Sequence, residues 1–135
     1  MNDSLLVDSS VWIALLRGHV PGLKERLTRR AVDGSRIVMC EPIALELLAG
    51  ARADSLAEVE HLVDGLPSLA LDPALDFRVA ADLARRAGRT GRTVRSSMDC
   101  LIAAIATRHD AVLVHHDRDF EVLASVSPLR AERWD

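Results

Sequence analysis

Five carboxylates stand where an apolar segment ends or inside an otherwise apolar stretch: Asp8, Glu46, Asp99, Asp117 and Asp119. Asp8 directly follows Leu5-Leu6-Val7, which reads as a buried strand. Asp117 follows the strand-like run Ala111 to Val114 and two histidines. Asp99 opens a helix predicted over Ser97 to Arg108, just before that strand. Glu46 is the only charge between Pro42 and Ala51. Its helical neighbours Pro42, Ile43, Ala49 and Gly50 cannot pair with it, and a buried lone carboxylate is costly. Taken singly, Asp8, Asp99 and Asp117 also suit plain helix capping or a first helical turn.

Together they make a different case. Strands alternating with helices predict an α/β fold with a mostly parallel sheet. Ligands in such sheets collect at the carboxyl ends of the strands, where Asp8 and Asp117 both fall. Carboxylates about 5 Å apart repel by roughly 3 kcal/mol per pair at an effective dielectric near 20. A hard divalent cation removes that cost, and an all-oxygen ligand set suits Mg²⁺ or Mn²⁺. Such a site equips a protein for metal-assisted phosphodiester hydrolysis, with Asp8, Glu46, Asp99 and Asp117 as catalytic metal ligands. Asp119 follows Asp117 by two residues and serves as an accessory ligand, an outer-shell group or a cap. The Ser10 hydroxyl either orients Asp8 or simply caps the helix.

Arg85, Arg86, Arg89, Arg92 and Arg95 form a run without an acid between them. They suit either an RNA backbone near the acids or a solvated helix end. His115 and His116 are adjacent, so on a strand they face opposite ways and do not readily share one metal. With no tyrosine, two phenylalanines and two tryptophans, a stacking platform for bases is poorly supported. Trp12, in an apolar helix, reads as core, and Trp134 fits either core or surface.

The elements that position these groups follow from punctuation and periodicity. Helices are predicted over Ser9 to Arg17, Pro21 to Val32 (apolar at Leu23, Leu27 and Val32), Pro42 to Ala53, and Asp117 to Ala124. Ser55-x-x-Glu58 reads as a capping box before Leu56, Val59, Leu62 and Val63. Asp72-Pro73 reads as a cap followed by proline at the first helical position, with Leu75, Val79 and Leu83 as the apolar face. Further strands are expected at Ile37 to Met39, Leu69 to Leu71 and Leu129 to Ala131.

At 135 residues, 49% hydrophobic and 27% charged, the chain reads as one folded domain spanning 1–135. Cys40 and Cys100 lie in apolar segments without a CxxC, which argues for buried reduced thiols and against a thiolate zinc site. No uncharged run exceeds eight residues and the amino terminus lacks a basic start. We therefore expect a cytoplasmic protein with no membrane span. The net charge of −3 hides a gradient: residues 41–82 carry −7 and residues 83–98 carry +5.

Three segments resemble the PIN-domain ribonucleases, and among them the VapC toxins of bacterial toxin–antitoxin pairs. They are Leu6-Val7-Asp8-Ser9-Ser10-Val11-Trp12, Glu41-Pro42-Ile43-Ala44-Leu45-Glu46, and Asp99-Cys100-Leu101-Ile102 through His116-Asp117-Arg118-Asp119-Phe120. The resemblance runs from Leu5 to the carboxyl terminus. It implies a three-layer α/β/α sandwich and an Mg²⁺- or Mn²⁺-dependent endoribonuclease acting on RNA. It places the metal on Asp8, Glu46, Asp99 and Asp117, with Asp119 as accessory. It also implies a homodimer restrained by a VapB-type antitoxin. His115 stands where the family often has Thr or Ser, which removes a hydroxyl there. Competing readings are a PIN nuclease of RNA maturation without an antitoxin, a nuclease-inactive RNA- or protein-binding scaffold, and a receiver-like phospho-acceptor. The last would look for a lysine near the final strand, and the only lysine is Lys24.

Overall fold

In the computed structural model, which describes residues 3–135, four parallel strands pair in the order β2-β1-β3-β4. They are β1 (Ser4–Val7), β2 (Arg36–Val38), β3 (Val112–His115) and β4 (Arg130–Arg133). Every residue of β3 is buried, as are Leu5, Leu6 and Val7 of β1. Central strands of a parallel sheet are covered on both faces, so they read as unbroken apolar runs. The register pairs Val7 with Val114 and brings the carboxyl ends of β1 and β3 level.

The connections are helical: α1 (Ser9–Arg17), α2 (Leu23–Val32), α3 (Glu41–Gly50), α4 (Leu56–Gly65), α5 (Pro73–Arg89), α6 (Ser97–Arg108) and α7 (Arg118–Ser125). The chain steps from β1 outward to β2, then back across β1 to β3 and on to β4. Right-handed crossovers in opposite directions place helices on both faces, giving the expected three-layer α/β/α sandwich. Gly18 ends α1 at φ 65°, and its amide reaches the carbonyls of Ala14 and Leu15. A left-handed cap of this kind favours glycine.

Several local expectations are corrected. α2 starts at Leu23 rather than Pro21, because Gly22 adopts φ 86°. Its Val32 is 80% exposed, so that residue is not core. α3 ends at Gly50, short of Ala53. Ser55 precedes α4 without a side-chain cap bond, and its hydroxyl turns to Asp54 instead, so the capping box does not form. Leu69–Leu71 makes no strand. The segment contributes one bridge, Met39 to Ser68, with the Leu69 amide on the Met39 carbonyl at 2.7 Å. The last strand is Arg130–Arg133, not 129–131.

The largest correction is on α5. Asp72 caps it as expected, accepting from the amides of Ala74 and Leu75. Its buried face, however, is Asp76, Ala80, Leu83 and Ala87, while Leu75 and Val79 are exposed. The pivot is Asp76, which accepts from Arg108 Nε at 2.8 Å and Nη2 at 2.9 Å and from the Asp72 amide at 2.8 Å. A buried carboxylate with this many donors is tolerated, and it turns the helix by one position relative to the apolar reading.

Trp134 is core. Its indole N–H donates to Glu132 at 3.1 Å, and the Arg26 guanidinium lies 4.3 Å from the ring centroid. Trp12 is buried with an unpartnered N–H. Both cysteines are buried and free. Among the described residues no helix is long and apolar enough to cross a membrane.

Candidate active site

The sheet topology gathers the acids at one edge. Asp8 follows the last residue of β1, and its amide donates to the Val114 carbonyl at 2.9 Å. It is therefore locked to β3 at the carboxyl end of the sheet. Asp117 lies two residues beyond β3 and caps α7 by accepting from the Asp119 amide at 2.9 Å. α6 leads by a short turn into the start of β3. It therefore runs antiparallel to that strand, and its first turn, carrying Asp99, lies at the same edge. Ser96 caps α6 by accepting from the Asp99 amide at 3.4 Å. Glu46 sits mid-way along α3, which begins just after β2.

Carboxylate oxygens of Asp99, Asp117 and Asp119 lie within 4.8 Å of one another. Asp119, expected only as an accessory, is thus part of the tightest group, whereas Asp8 and Glu46 are not. Those two still act on it through their charges. Asp99 is pushed up to about 7, first by burial, then by the charges of Asp8, Glu46, Asp117 and Asp119. Glu46 is raised by burial and by Asp8, against an opposing hydrogen bond from Ser9. Asp8 is raised by burial despite hydrogen bonds from Ser10 and Ser9.

Of the two readings for Ser10 the contacts match orientation of Asp8: the Ser10 hydroxyl and amide both donate to Oδ2, while Asp8 is the residue that caps α1. Oδ1 of the same carboxylate is buried and has no partner. An orphaned oxygen on a carboxylate whose charge acts on Asp99 fits a hard cation. Burial pushes the Cys40 thiol up to about 12, and Cys100 is raised by burial and by Asp99. Protonated thiols are poor ligands.

Ser9, which its sequence context does not single out, donates to Glu46 Oε1 at 3.1 Å. His115 is buried, with its ring 5.3 Å from that of Phe120. Its Nδ1 accepts the Asp117 amide at 3.1 Å. Burial holds its pKa below the usual histidine range, so it is a neutral prop for the Asp117 turn. His116 is only partly exposed. Of the five-arginine run, only Arg95 touches an acid of this group, with Nε 3.8 Å from Asp119 Oδ2. Arg86 is tied to Asp82 and to the Val126 carbonyl, and Arg85, Arg89 and Arg92 are exposed.

The PIN domain family matches residues 5–126, a span that contains all five acids. The chain belongs to the PIN-domain family. Ribonuclease VapC11 of Mycobacterium tuberculosis is 48% identical to it over 94% of this chain and 96% of that protein. Ribonuclease VapC19 of the same organism is 32% identical, over 91% and 97% respectively. This PIN domain therefore groups with the VapC ribonucleases. Its fold matches solved VapBC structures. One is DNA-bound VapBC from Salmonella typhimurium, with a TM-score of 0.79, 23% identity and 100% of both chains covered. Another is VapBC-1 from nontypeable Haemophilus influenzae, with a TM-score of 0.77, 21% identity and 97% and 98% covered.

Proposed function

We propose that this PIN domain is a metal-dependent endoribonuclease, the toxin of a type II toxin–antitoxin pair. The observation that carries the reading is the cluster of Asp99, Asp117 and Asp119, with Asp8 and Glu46 near enough for their charges to raise Asp99. The kinship with VapC ribonucleases supports RNA as the substrate. The VapBC likeness supports a VapB-type antitoxin as partner. By the same kinship the working form is a cytoplasmic homodimer.

Asp8, Glu46, Asp99 and Asp117 would hold Mg²⁺ or Mn²⁺, with Asp119 as accessory. Bound there, the cation supplies Lewis-acid polarisation of the scissile phosphate and a water made acidic enough to attack it. The protein's own part is preorganisation. Asp8 is held by the Ser10 hydroxyl and amide and by its own amide on β3. Glu46 is held by Ser9, and the Asp117 turn rests on His115. These contacts fix the ligand oxygens before a cation arrives, so little ordering entropy is lost on binding.

The test is cleavage of total cellular RNA by the purified chain with Mg²⁺, Mn²⁺ or EDTA, beside Asp8→Asn. Asparagine caps helices as well as aspartate does, so that variant keeps α1 while losing the charge. Metal-dependent cuts absent from Asp8→Asn are expected, along with relief by a co-purified antitoxin. A folded wild-type chain that binds no divalent metal and cuts no RNA would overturn the nuclease reading in favour of a binding scaffold.

A further inference from the structure

Arg95 sits in the Thr90–Ser96 connection between α5 and α6, at the mouth of the carboxylate group. Its backbone N–H donates to Asp119 Oδ2 at 3.4 Å, which pins the loop to the site. Its guanidinium lies 3.8 Å from the same oxygen, yet its side chain is 81% exposed while that of Asp119 is 5% exposed. Contact with the acid is thus made from the solvent side. Among the described residues Arg95 has no other ion pair or side-chain hydrogen bond. Most of its five N–H donors remain free.

Several other arginines are committed to acids elsewhere. Arg108 is engaged by Asp76, Arg30 by Glu132, Arg130 by Asp3 and Asp110, and Arg86 by Asp82. Of the five-arginine run, only Arg95 brings its guanidinium within 4 Å of one of the acids of the site, and it approaches from solvent. A guanidinium fork matches two oxygens of one phosphate, and a bare cluster of carboxylates would otherwise repel a polyanion.

We propose that Arg95 is the residue that docks an RNA backbone phosphate beside the metal-binding acids. The rest of the basic run supplies only diffuse charge. This rests on the ribonuclease reading above.

The experiment compares wild type with Arg95→Ala, Arg95→Lys and Arg36→Ala. Arg36 is an exposed arginine that opens β2 at the opposite, amino-terminal edge of the sheet. Binding of a short random-sequence single-stranded RNA is measured in EDTA across a salt series, Mn²⁺ affinity by calorimetry, and cleavage kinetics with Mn²⁺. Arg95→Ala should flatten the dependence of log K on log salt by about 0.7, the value for one phosphate contact on a single strand. It should raise KM about tenfold, the usual worth of a hydrogen bond to a charged group, with kcat little changed. Mn²⁺ affinity should hold or tighten, because a neighbouring cation has been removed. Arg95→Lys should restore the salt slope, and Arg36→Ala should leave slope and KM as in wild type. Equal slopes for Arg95→Ala and Arg36→Ala would overturn the proposal, as would weakened Mn²⁺ binding by Arg95→Ala, since that would mark Arg95 as a prop for Asp119. Failure of the wild type itself to cut RNA with Mn²⁺ would instead sink the ribonuclease reading, and this proposal with it.

Discussion

The hydroxyl of Ser9 donates to Oε1 of Glu46 across 37 positions of sequence, joining the first turn of α1 to the middle of α3. The bond favours the ionised form of Glu46 against the burial and the Asp8 charge that oppose it. It aims the glutamate and offsets part of the rise that burial and Asp8 impose.

Ser9→Ala should weaken Mn²⁺ binding by roughly tenfold, as removal of a ligand's supporting hydrogen bond commonly does. The fold should be retained, because Asp8 rather than Ser9 caps α1. Ser9→Thr should restore much of the loss. Calorimetric titration with Mn²⁺ checks both, and unchanged affinity in Ser9→Ala would remove Ser9 from the site.

The metal-free protein should carry a pH signature from Asp99. Burial and the neighbouring carboxylates push the Asp99 carboxyl from its ordinary 3.8 up to about 7. The folded state therefore binds the proton more tightly, and unfolding free energy falls as pH rises between those two values. His115 acts in the opposite sense: its lowered folded pKa costs stability as pH falls below its ordinary value of 6.5. The difference between wild type and Asp99→Asn isolates the aspartate. In EDTA, Asp99→Asn should melt higher than wild type at neutral pH, by roughly 3–5 °C for about 1 kcal/mol of relieved repulsion. The gap should close as pH falls through the acid range. Melting curves at several pH values decide this, and a variant less stable than wild type at neutral pH would contradict it.

Arg108→Ala should be destabilising for a reason unconnected with the site. It leaves the Asp76 carboxylate buried with only the Asp72 amide as donor. Removing one partner of such a pair costs about 3–5 kcal/mol. The same arginine also donates to the Ala70 carbonyl, so the segment before α5 should loosen with it. Chemical denaturation gives the loss directly. At temperatures where the variant is folded, its Mn²⁺ affinity should equal that of wild type.

Much of the site was legible in the residues. Asp8 and Asp117 were placed by the apolar strands before them, because a parallel sheet buried on both faces leaves an unbroken hydrophobic run ending at its polar edge. Glu46 stood out because no neighbour on its own helix could pair with it, and the three acids near helix starts were marked by capping chemistry. The fold class followed from the alternation of strand and helix. These are local signals, carried by residues a few positions apart.

What the tertiary structure alone decided involves partners far apart in sequence. Ser9 meets Glu46, and Arg95 meets Asp119, only because β1, β3 and the α5–α6 connection converge on one edge. Asp76 turned α5 so that Leu75 and Val79 face outward, since its match with Arg108 across the α5–α6 contact outweighs the apolar stripe. The Ser55 capping box and the 69–71 strand each had acceptable local sequence but lacked the backbone geometry that completes them. Local propensity is worth tenths of a kcal/mol up to about 1 per residue, whereas leaving a buried carboxylate without its partner costs about 3–5 kcal/mol. Where the two conflict, the distant contact sets the structure.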